Sequence, residues 1–373
     1  MPDRPPLTPL VDSLPATVPF VGPEAQERAR GRPFRARLGA NESGFGPSPT
    51  VVETMRAAAP EMWKYCDPES HDLKQALAAH LGTAVENIAI GEGIDGLLGL
   101  VVRQYVETGM PVVTSLGAYP TFNYHVAGFG GRLGTVPYEG DRENLEGLLE
   151  AARREKARIV YISNPDNPMG TWWEAHEIER FIAALPETTL LILDEAYGET
   201  APASALPPLD TSRPNVLRMR TFSKAYGLAG LRCGYCIGEA VAIRAFDKVR
   251  NHFGITRMAQ AAALSALADQ QHLRFVVEAV SACRRRIADI AERNGLTSLP
   301  SATNFVTIDC GGDGAFAMRV LKALTERDVF VRKPMAPGLD RCIRVSAGPE
   351  AEIALFEAEL GAALEKAREG QGR

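Results

Sequence analysis

Short apolar runs alternate with amphipathic stretches along most of this chain. Residues 87–90, 111–115, 132–137, 158–163, 189–193 and 215–220 read as strands, and residues 94–106, 119–128, 144–156 and 174–185 read as the helices between them. This alternation predicts a mostly parallel sheet covered by helices on both faces. A sheet of that kind gathers its ligands in the crevice beyond the carboxyl ends of its strands. The residues that directly follow each apolar run therefore carry the functional information.

Four runs end in unusual polar residues. Residues 88–90 run into Gly91-Glu-Gly-Ile-Asp95, residues 159–163 into Asn164-Pro-Asp-Asn167-Pro-Met-Gly170, residues 190–193 into Asp194-Glu-Ala-Tyr197, and residues 215–219 lead to Thr221-Phe-Ser-Lys224. One crevice could collect all four. Lys224 with Thr221, Ser223 and Arg232 suits a cofactor that carries both an aldehyde and a phosphate: the amine would form a Schiff base, and the hydroxyls and guanidinium would hold the phosphate. Asp194, after four apolar residues, must be capped, paired or functional, and facing a pyridine nitrogen it would keep that nitrogen protonated. Asn167 and Tyr197 could donate to a phenolate oxygen on the same ring, and Tyr119 could stack on its face. The first amides of the helix after Gly91 and Gly93, those of Ile94 and Asp95, could point at the phosphate. Taken singly, each feature has a plainer reading: a solvated lysine, a capped aspartate, an ordinary strand-to-helix turn, and an aromatic core cluster of Tyr119, Phe122 and Tyr124.

The remainder of the chain frames this crevice. Residues 1–50 are rich in Pro and Gly and form an arm or active-site loop, with strong turn chemistry from Asn41 onward. Helices are predicted over 49–59 and 69–81, the second from Leu73, Leu77 and Leu81 and its stop at Gly82. After a strand over 231–238 the pattern is helical through 239–294, with a long amphipathic helix from 271. Residues 304–310, 315–326, 329–331, 342–345 and 350–368 suggest a small α+β unit. The predicted architecture is α/β: a three-layer αβα large domain with a mostly parallel sheet, plus a small α+β domain formed by the C-terminal part and the N-terminal arm. The expected boundaries are 1–50 for the arm, 51–270 for the large domain and 271–373 for the small one, a division the length of 373 residues accommodates.

Composition narrows the partners. A net charge of −5 without long basic runs argues against nucleic acid, and Arg284-Arg285-Arg286 reads as a solvated helix face. No run of about 18 apolar residues suggests a membrane span, and the proline-interrupted residues 1–19 lack the apolar core of a signal peptide. A cytoplasmic protein with six reduced thiols is expected, the C-x-x-C of Cys233 and Cys236 falling in an apolar run that suits a buried structural role better than a metal.

Six segments in order, Leu38-Gly-Ala-Asn-Glu-Ser, Gly91-Glu-Gly-Ile-Asp, Asn164-Pro-Asp-Asn-Pro-Met-Gly, Asp194-Glu-Ala-Tyr, Thr221-Phe-Ser-Lys-Ala-Tyr-Gly-Leu-Ala-Gly-Leu-Arg-Cys-Gly and Cys342-Ile-Arg-Val-Ser-Ala-Gly, resemble the fold-type I aminotransferases that use pyridoxal 5′-phosphate, most closely the histidinol-phosphate aminotransferase branch. The resemblance implies that Lys224 bonds the cofactor and acts as general acid and base, that Asp194 pairs with the ring nitrogen, that Asn167 and Tyr197 contact the ring hydroxyl, and that Tyr119 stacks on the ring. It assigns the phosphate to Thr221, Ser223, Arg232 and the amides of Ile94 and Asp95, with Tyr65 reaching it from the other subunit of a homodimer with shared active sites. It further implies that Arg344 grips the substrate carboxylate, Arg332 binds a substrate phosphate, and Asn41 and Phe20 lie at the substrate. The implied reaction is two-stage amino-group transfer from an amino acid or an amino-alcohol phosphate such as histidinol phosphate to a 2-oxo acid, with 2-oxoglutarate and glutamate as the expected pair. A decarboxylase or lyase on the same scaffold is the alternative, because the fold does not choose the chemistry beyond the bound amine. Two departures bear on the donor: Gly91-Glu-Gly-Ile-Asp95 replaces the family's glycine-asparagine-glycine-serine-aspartate, and Phe20 stands where a hydroxyl-bearing tyrosine is usual. Both weaken phosphate recognition and leave the donor open between histidinol phosphate and another amino acid or amine.

Overall fold

The structure, a computed structural model, describes residues 4–16 and 21–369. Its centre is a seven-stranded sheet built from β2 (Ile88–Gly91), β3 (Pro111–Ser115), β4 (Arg132–Val136), β5 (Ile159–Ser163), β6 (Leu190–Asp194), β7 (Val216–Thr221) and β8 (Gly234–Ile237), preceded in the chain by the short β1 (Ala36–Arg37). The strand order is β2-β8-β7-β6-β5-β3-β4, and β8 alone runs antiparallel to its neighbours. The expected mostly parallel sheet is present.

Its strands are apolar along their length because both faces are covered. Ile159, Tyr161, Leu190, Ile192, Leu217 and Met219 pack on one side with the helices Gly93–Tyr105 and Pro120–Gly128. Their alternate neighbours Val160, Ile162, Leu191, Leu193 and Val216 pack on the other with Leu145–Glu155 and Ala175–Ala184. A third cluster joins Ile88, Ile90, Tyr235 and Ile237 to the helices His71–Leu81 and Arg257–Ala268. Leu73 and Leu77 are the buried teeth of that contact, each of which would cost about 2–5 kcal/mol if cut back to alanine.

The C-terminal part forms an antiparallel sheet in the order β12-β10-β9, from β9 (Thr297–Ser298), β10 (Phe305–Asp309) and β12 (Cys342–Ser346), while β11 (Val329–Phe330) pairs in parallel with β1. Ala36 and Leu38 are therefore core residues of this part, packed with the helices Gly314–Glu326 and Glu350–Glu369. The N-terminal segment is thus anchored to the C-terminal half, which brings residues near 40 to the main sheet.

Two expectations needed adjustment. The helical stretch over 239–294 holds the expected long helix, as Gln270–Arg293, but the part before it divides into Ala240–Arg244 and Arg257–Ala268. Thr256 starts Arg257–Ala268 by accepting the Ala259 N–H, and Asp269 starts Gln270–Arg293 by accepting that of His272. The triple-arginine stretch is only partly solvated. Arg284 donates to the carbonyls of Thr200 and Thr303, and Arg286 pairs with Glu350 and Glu357.

Candidate active site

Register and alternation assemble the site. In parallel pairing Ser163 stands beside Asp194 and Asp194 beside Met219, so Tyr161, Asp194 and Thr221 share one face at the carboxyl edge of the sheet. The loop after β7 then carries Ser223 and Lys224 over that edge. Gly227 lets this loop press against the N-terminal segment: a Cβ there would stand 2.5 Å from the Gly46 main chain. The result is a cavity lined by Ile94, Asp95, Tyr119, Asn167, Asp194, Tyr197, Thr221, Ser223, Lys224 and Arg232, with Ala40, Glu42, Tyr161, Ser163, Ala196 and Ala229. Ten residues singled out from the sequence therefore meet in one place.

Asp194 is nearly inaccessible, at 4% exposure. Its Oδ2 accepts the Tyr161 hydroxyl at 2.8 Å and its Oδ1 the Ala196 N–H at 2.9 Å. Burial pushes its carboxyl up to about 6, against the pull of those two donors. Lys224 Nζ donates to the main-chain oxygen of Asn41 at 3.1 Å and lies 5.5 Å from the centre of the Tyr197 ring. The Tyr197 hydroxyl accepts from Asn41 Nδ2 at 3.1 Å and from Asn167 Nδ2 at 3.3 Å.

Elsewhere in the lining Ser223 Oγ accepts from the Thr221 hydroxyl at 2.9 Å, and Arg232 reaches Ser223 Oγ at 3.5 Å and Asp95 Oδ2 at 3.3 Å. Tyr119 donates to Asp95 Oδ1 at 2.9 Å, and burial followed by the Asp95 charge holds its phenol in the protonated form. Gly93, at φ +74°, opens the helix Gly93–Tyr105, and a Cβ on it would stand 2.6 Å from the Arg232 guanidinium. Guanidinium, two hydroxyls and a helix N-terminus stripped of side-chain bulk form a cradle suited to a phosphate. A pyridine nitrogen suits the buried carboxylate of Asp194, so the donor set, with the Lys224 amine on the same cavity, fits a phosphorylated pyridine aldehyde.

The remaining predicted residues take different places. Arg344, on β12, donates to Asn167 Oδ1, and its buried Nε has no partner among the described residues. Its ring neighbour is Phe305, at 5.1 Å, and burial lowers the guanidinium's affinity for its proton. Arg332 bridges Arg344 through the main chain, donates to the Val21 carbonyl at 2.7 Å and lies 5.2 Å from the Phe330 ring. Asn41 is buried, at φ +56°, behind the cavity wall. Tyr65 is 78% exposed, packs on Phe253 and is not among the residues lining the cavity. Phe20 lies outside the described residues. Glu92 turns toward Gly254, where a Cβ would overlap its carboxylate.

Three participants escape a reading of the sequence. Tyr161 looks like any strand aromatic. Ser346 and Asn304 reveal themselves only in three dimensions, by gripping Asn41: Ser346 Oγ accepts its N–H and donates to its Oδ1, both at 3.0 Å, and Asn304 Nδ2 donates to its carbonyl at 3.0 Å. The motif around Arg344 contained Ser346, but nothing local tied it to residue 41.

Comparison with known proteins follows the same lines. The profile of the family "Aminotransferase class I and II" matches residues 36–356. The chain is 37% identical over 336 residues to histidinol-phosphate aminotransferase 1 of Mesorhizobium japonicum, covering 88% of this chain and 90% of that protein. It is 34% identical over 348 residues to histidinol-phosphate aminotransferase 1 of Nitrosococcus oceani, covering 92% and 93%. Among solved structures, the histidinol-phosphate aminotransferase of Sinorhizobium meliloti in complex with pyridoxal-5′-phosphate superposes with a TM-score of 0.94 at 58% identity, covering 96% of this chain and 97% of that one.

Proposed function

This chain belongs to aminotransferase class I and II, and on that premise we propose that the cavity at Lys224 holds pyridoxal 5′-phosphate and transfers an amino group from histidinol phosphate to a 2-oxo acid, 2-oxoglutarate in the first instance. The observation that carries the reading is the meeting of Lys224, a buried Asp194 and the Ser223–Arg232 cradle on one cavity. The relatives named above are aminotransferases, which favours transamination over a decarboxylase or lyase.

When bound, the cofactor supplies an aldehyde that takes up amines covalently and a protonated ring that draws electrons from the adjoining carbon. The chain supplies the rest. Lys224 Nζ would be the amine that anchors the cofactor and, once displaced, the base that takes the proton from the substrate carbon. Asp194 would hold the proton on the ring nitrogen. Tyr197 and Asn167 would orient the ring hydroxyl, Tyr119 would cover the ring face, and Thr221, Ser223, Arg232 and the amides of Ile94 and Asp95 would bind the phosphate. Arg344, whose buried Nε has no partner among the described residues, suits the carboxylate of the 2-oxo acid. Arg332, beside it, suits the phosphate of the donor, and Asn41 backs the substrate end of the cavity.

The chain is best divided near residues 50 and 270, with the last part carrying Arg332 and Arg344. Trp63 and Tyr65, 79% and 78% exposed, and Phe253 at 51% form an aromatic surface suited to a second copy of the chain, from which Tyr65 would reach the neighbouring phosphate site. All six cysteines are free thiols, in keeping with a cytoplasmic setting.

The test is a single-turnover survey of amino donors. Histidinol phosphate should convert the cofactor to its amine form stoichiometrically and fastest. Conversion by aromatic amino acids with none by histidinol phosphate would overturn the donor assignment.

A further inference from the structure

Tyr161 is completely buried, and its ring stacks on Phe122 with centroids 4.7 Å apart and planes 16° from parallel. A phenylalanine would satisfy that packing equally well. The hydroxyl adds one thing, a 2.8 Å hydrogen bond to Asp194 Oδ2. Parallel register makes this contact possible: Tyr161 stands beside Ile192, two positions before Asp194 on the neighbouring strand and on the same face.

We propose that Tyr161 is a positioning residue whose hydroxyl keeps Asp194 ionised and fixes the orientation of its carboxylate toward the cavity. The inference rests on the reading of Asp194 as the partner of the cofactor's ring nitrogen. Each carboxylate oxygen has one donor, Tyr161 on Oδ2 and the Ala196 N–H on Oδ1. With both in place the group is pinned at two points; with Tyr161 gone, one oxygen of a carboxylate that is 4% exposed loses its donor, a condition that favours the neutral acid.

The surrounding charges give little help. Lys224 favours the ionised form, Asp95 opposes it, and Glu143 is a further buried carboxyl on the same side, itself pushed well above the usual range by burial. The Tyr161 phenol is held protonated by burial and by Asp194, so it remains a donor across the working pH range. Tyr119 is held protonated as well. Among the described residues the hydroxyl of Tyr161 is thus the side-chain hydrogen-bond donor to Asp194, beside the Ala196 N–H.

The test compares Tyr161→Phe with Phe122→Leu, which disturbs the stack but spares the hydroxyl. In cofactor-stripped protein carrying 13C-carboxyl aspartate, the Asp194 resonance, assigned by its loss in Asp194→Asn, should titrate about one pH unit higher in Tyr161→Phe, the scale of one lost hydrogen bond to a charge, and at its original pH in Phe122→Leu. Retention of pyridoxal 5′-phosphate near pH 6 should weaken roughly tenfold, and the acid limb of kcat/KM should move up with the Asp194 titration. An unchanged titration in a folded Tyr161→Phe protein, or an equal shift in Phe122→Leu, would overturn the proposal. Full cofactor retention and turnover by Asp194→Asn would instead overturn the Asp194 assignment beneath it.

Discussion

Lys224 Nζ rests 3.1 Å from the main-chain oxygen of Asn41, a residue 183 positions earlier in the chain. Asn41 can offer that oxygen because Ser346 and Asn304 hold its backbone in the left-handed region, at φ +56°, while its side chain donates to Tyr197. One residue of the N-terminal segment thus ties the lysine and the phenol on the main sheet to strands of the C-terminal part. Ser346→Ala would leave the Asn41 N–H and Oδ1 without their partner, at a cost of about 1–3 kcal/mol. A lower Tm and a several-fold lower kcat with little change in KM are expected from thermal melts and steady-state kinetics.

Arg344 tests the carboxylate site. Its guanidinium already spends one nitrogen on Asn167 and keeps Nε free of any partner among the described residues. Lysine would keep the charge and lose the planar fork. Arg344→Lys should lower kcat/KM for 2-oxoglutarate by roughly 10- to 100-fold, on the scale of a charged hydrogen bond, mainly through KM. Steady-state kinetics at varied 2-oxo acid decides it.

Glu199 offers a stability test away from the chemistry. Its Oε2 is buried without a partner among the described residues, and burial pushes its carboxyl up to about 7 despite the nearby Arg220. The folded state then holds a proton that the unfolded chain releases near the ordinary 4.5. Stability from this group therefore falls as pH rises from about 4.5 to about 7. Glu199→Gln should raise Tm at pH 8 and leave it nearly unchanged at pH 4.5, as followed by calorimetry.

Glu195, directly after Asp194, faces the opposite side of the sheet and is inaccessible between Arg218 and Arg220. Those two cations hold its carboxyl below the usual range in spite of burial. Glu195→Ala would strand both guanidinium groups, a loss on the order of 3–5 kcal/mol. Denaturant melts should show that loss, whereas Glu195→Gln, which keeps hydrogen-bonding capacity, should lose less.

The sheet was legible because its strands are unbroken apolar runs bounded by Gly, Pro and polar residues, and the cavity because polar residues stop four of those runs. The reversal of β8 was not legible, since an apolar run reads the same in either direction. Tyr161 was hidden for a related reason: its partner Asp194 lies on a neighbouring strand, so the residue reads as core. The grip of Ser346 and Asn304 on Asn41 depends on contacts spanning 305 and 263 positions, which no local pattern encodes. Thr256 and Asp269 carry helix-start signals within residues 239–294, and those caps explain where its second and third helices begin.

The central claim is that the Lys224 amine carries the cofactor. Borohydride reduction of the holoprotein, followed by proteolysis and mass spectrometry, should place the pyridoxyl phosphate adduct on the peptide containing Thr221 to Arg232 and on Lys224 within it. An adduct on another lysine, or an unmodified Lys224 in reduced, fully loaded protein, would contradict the account.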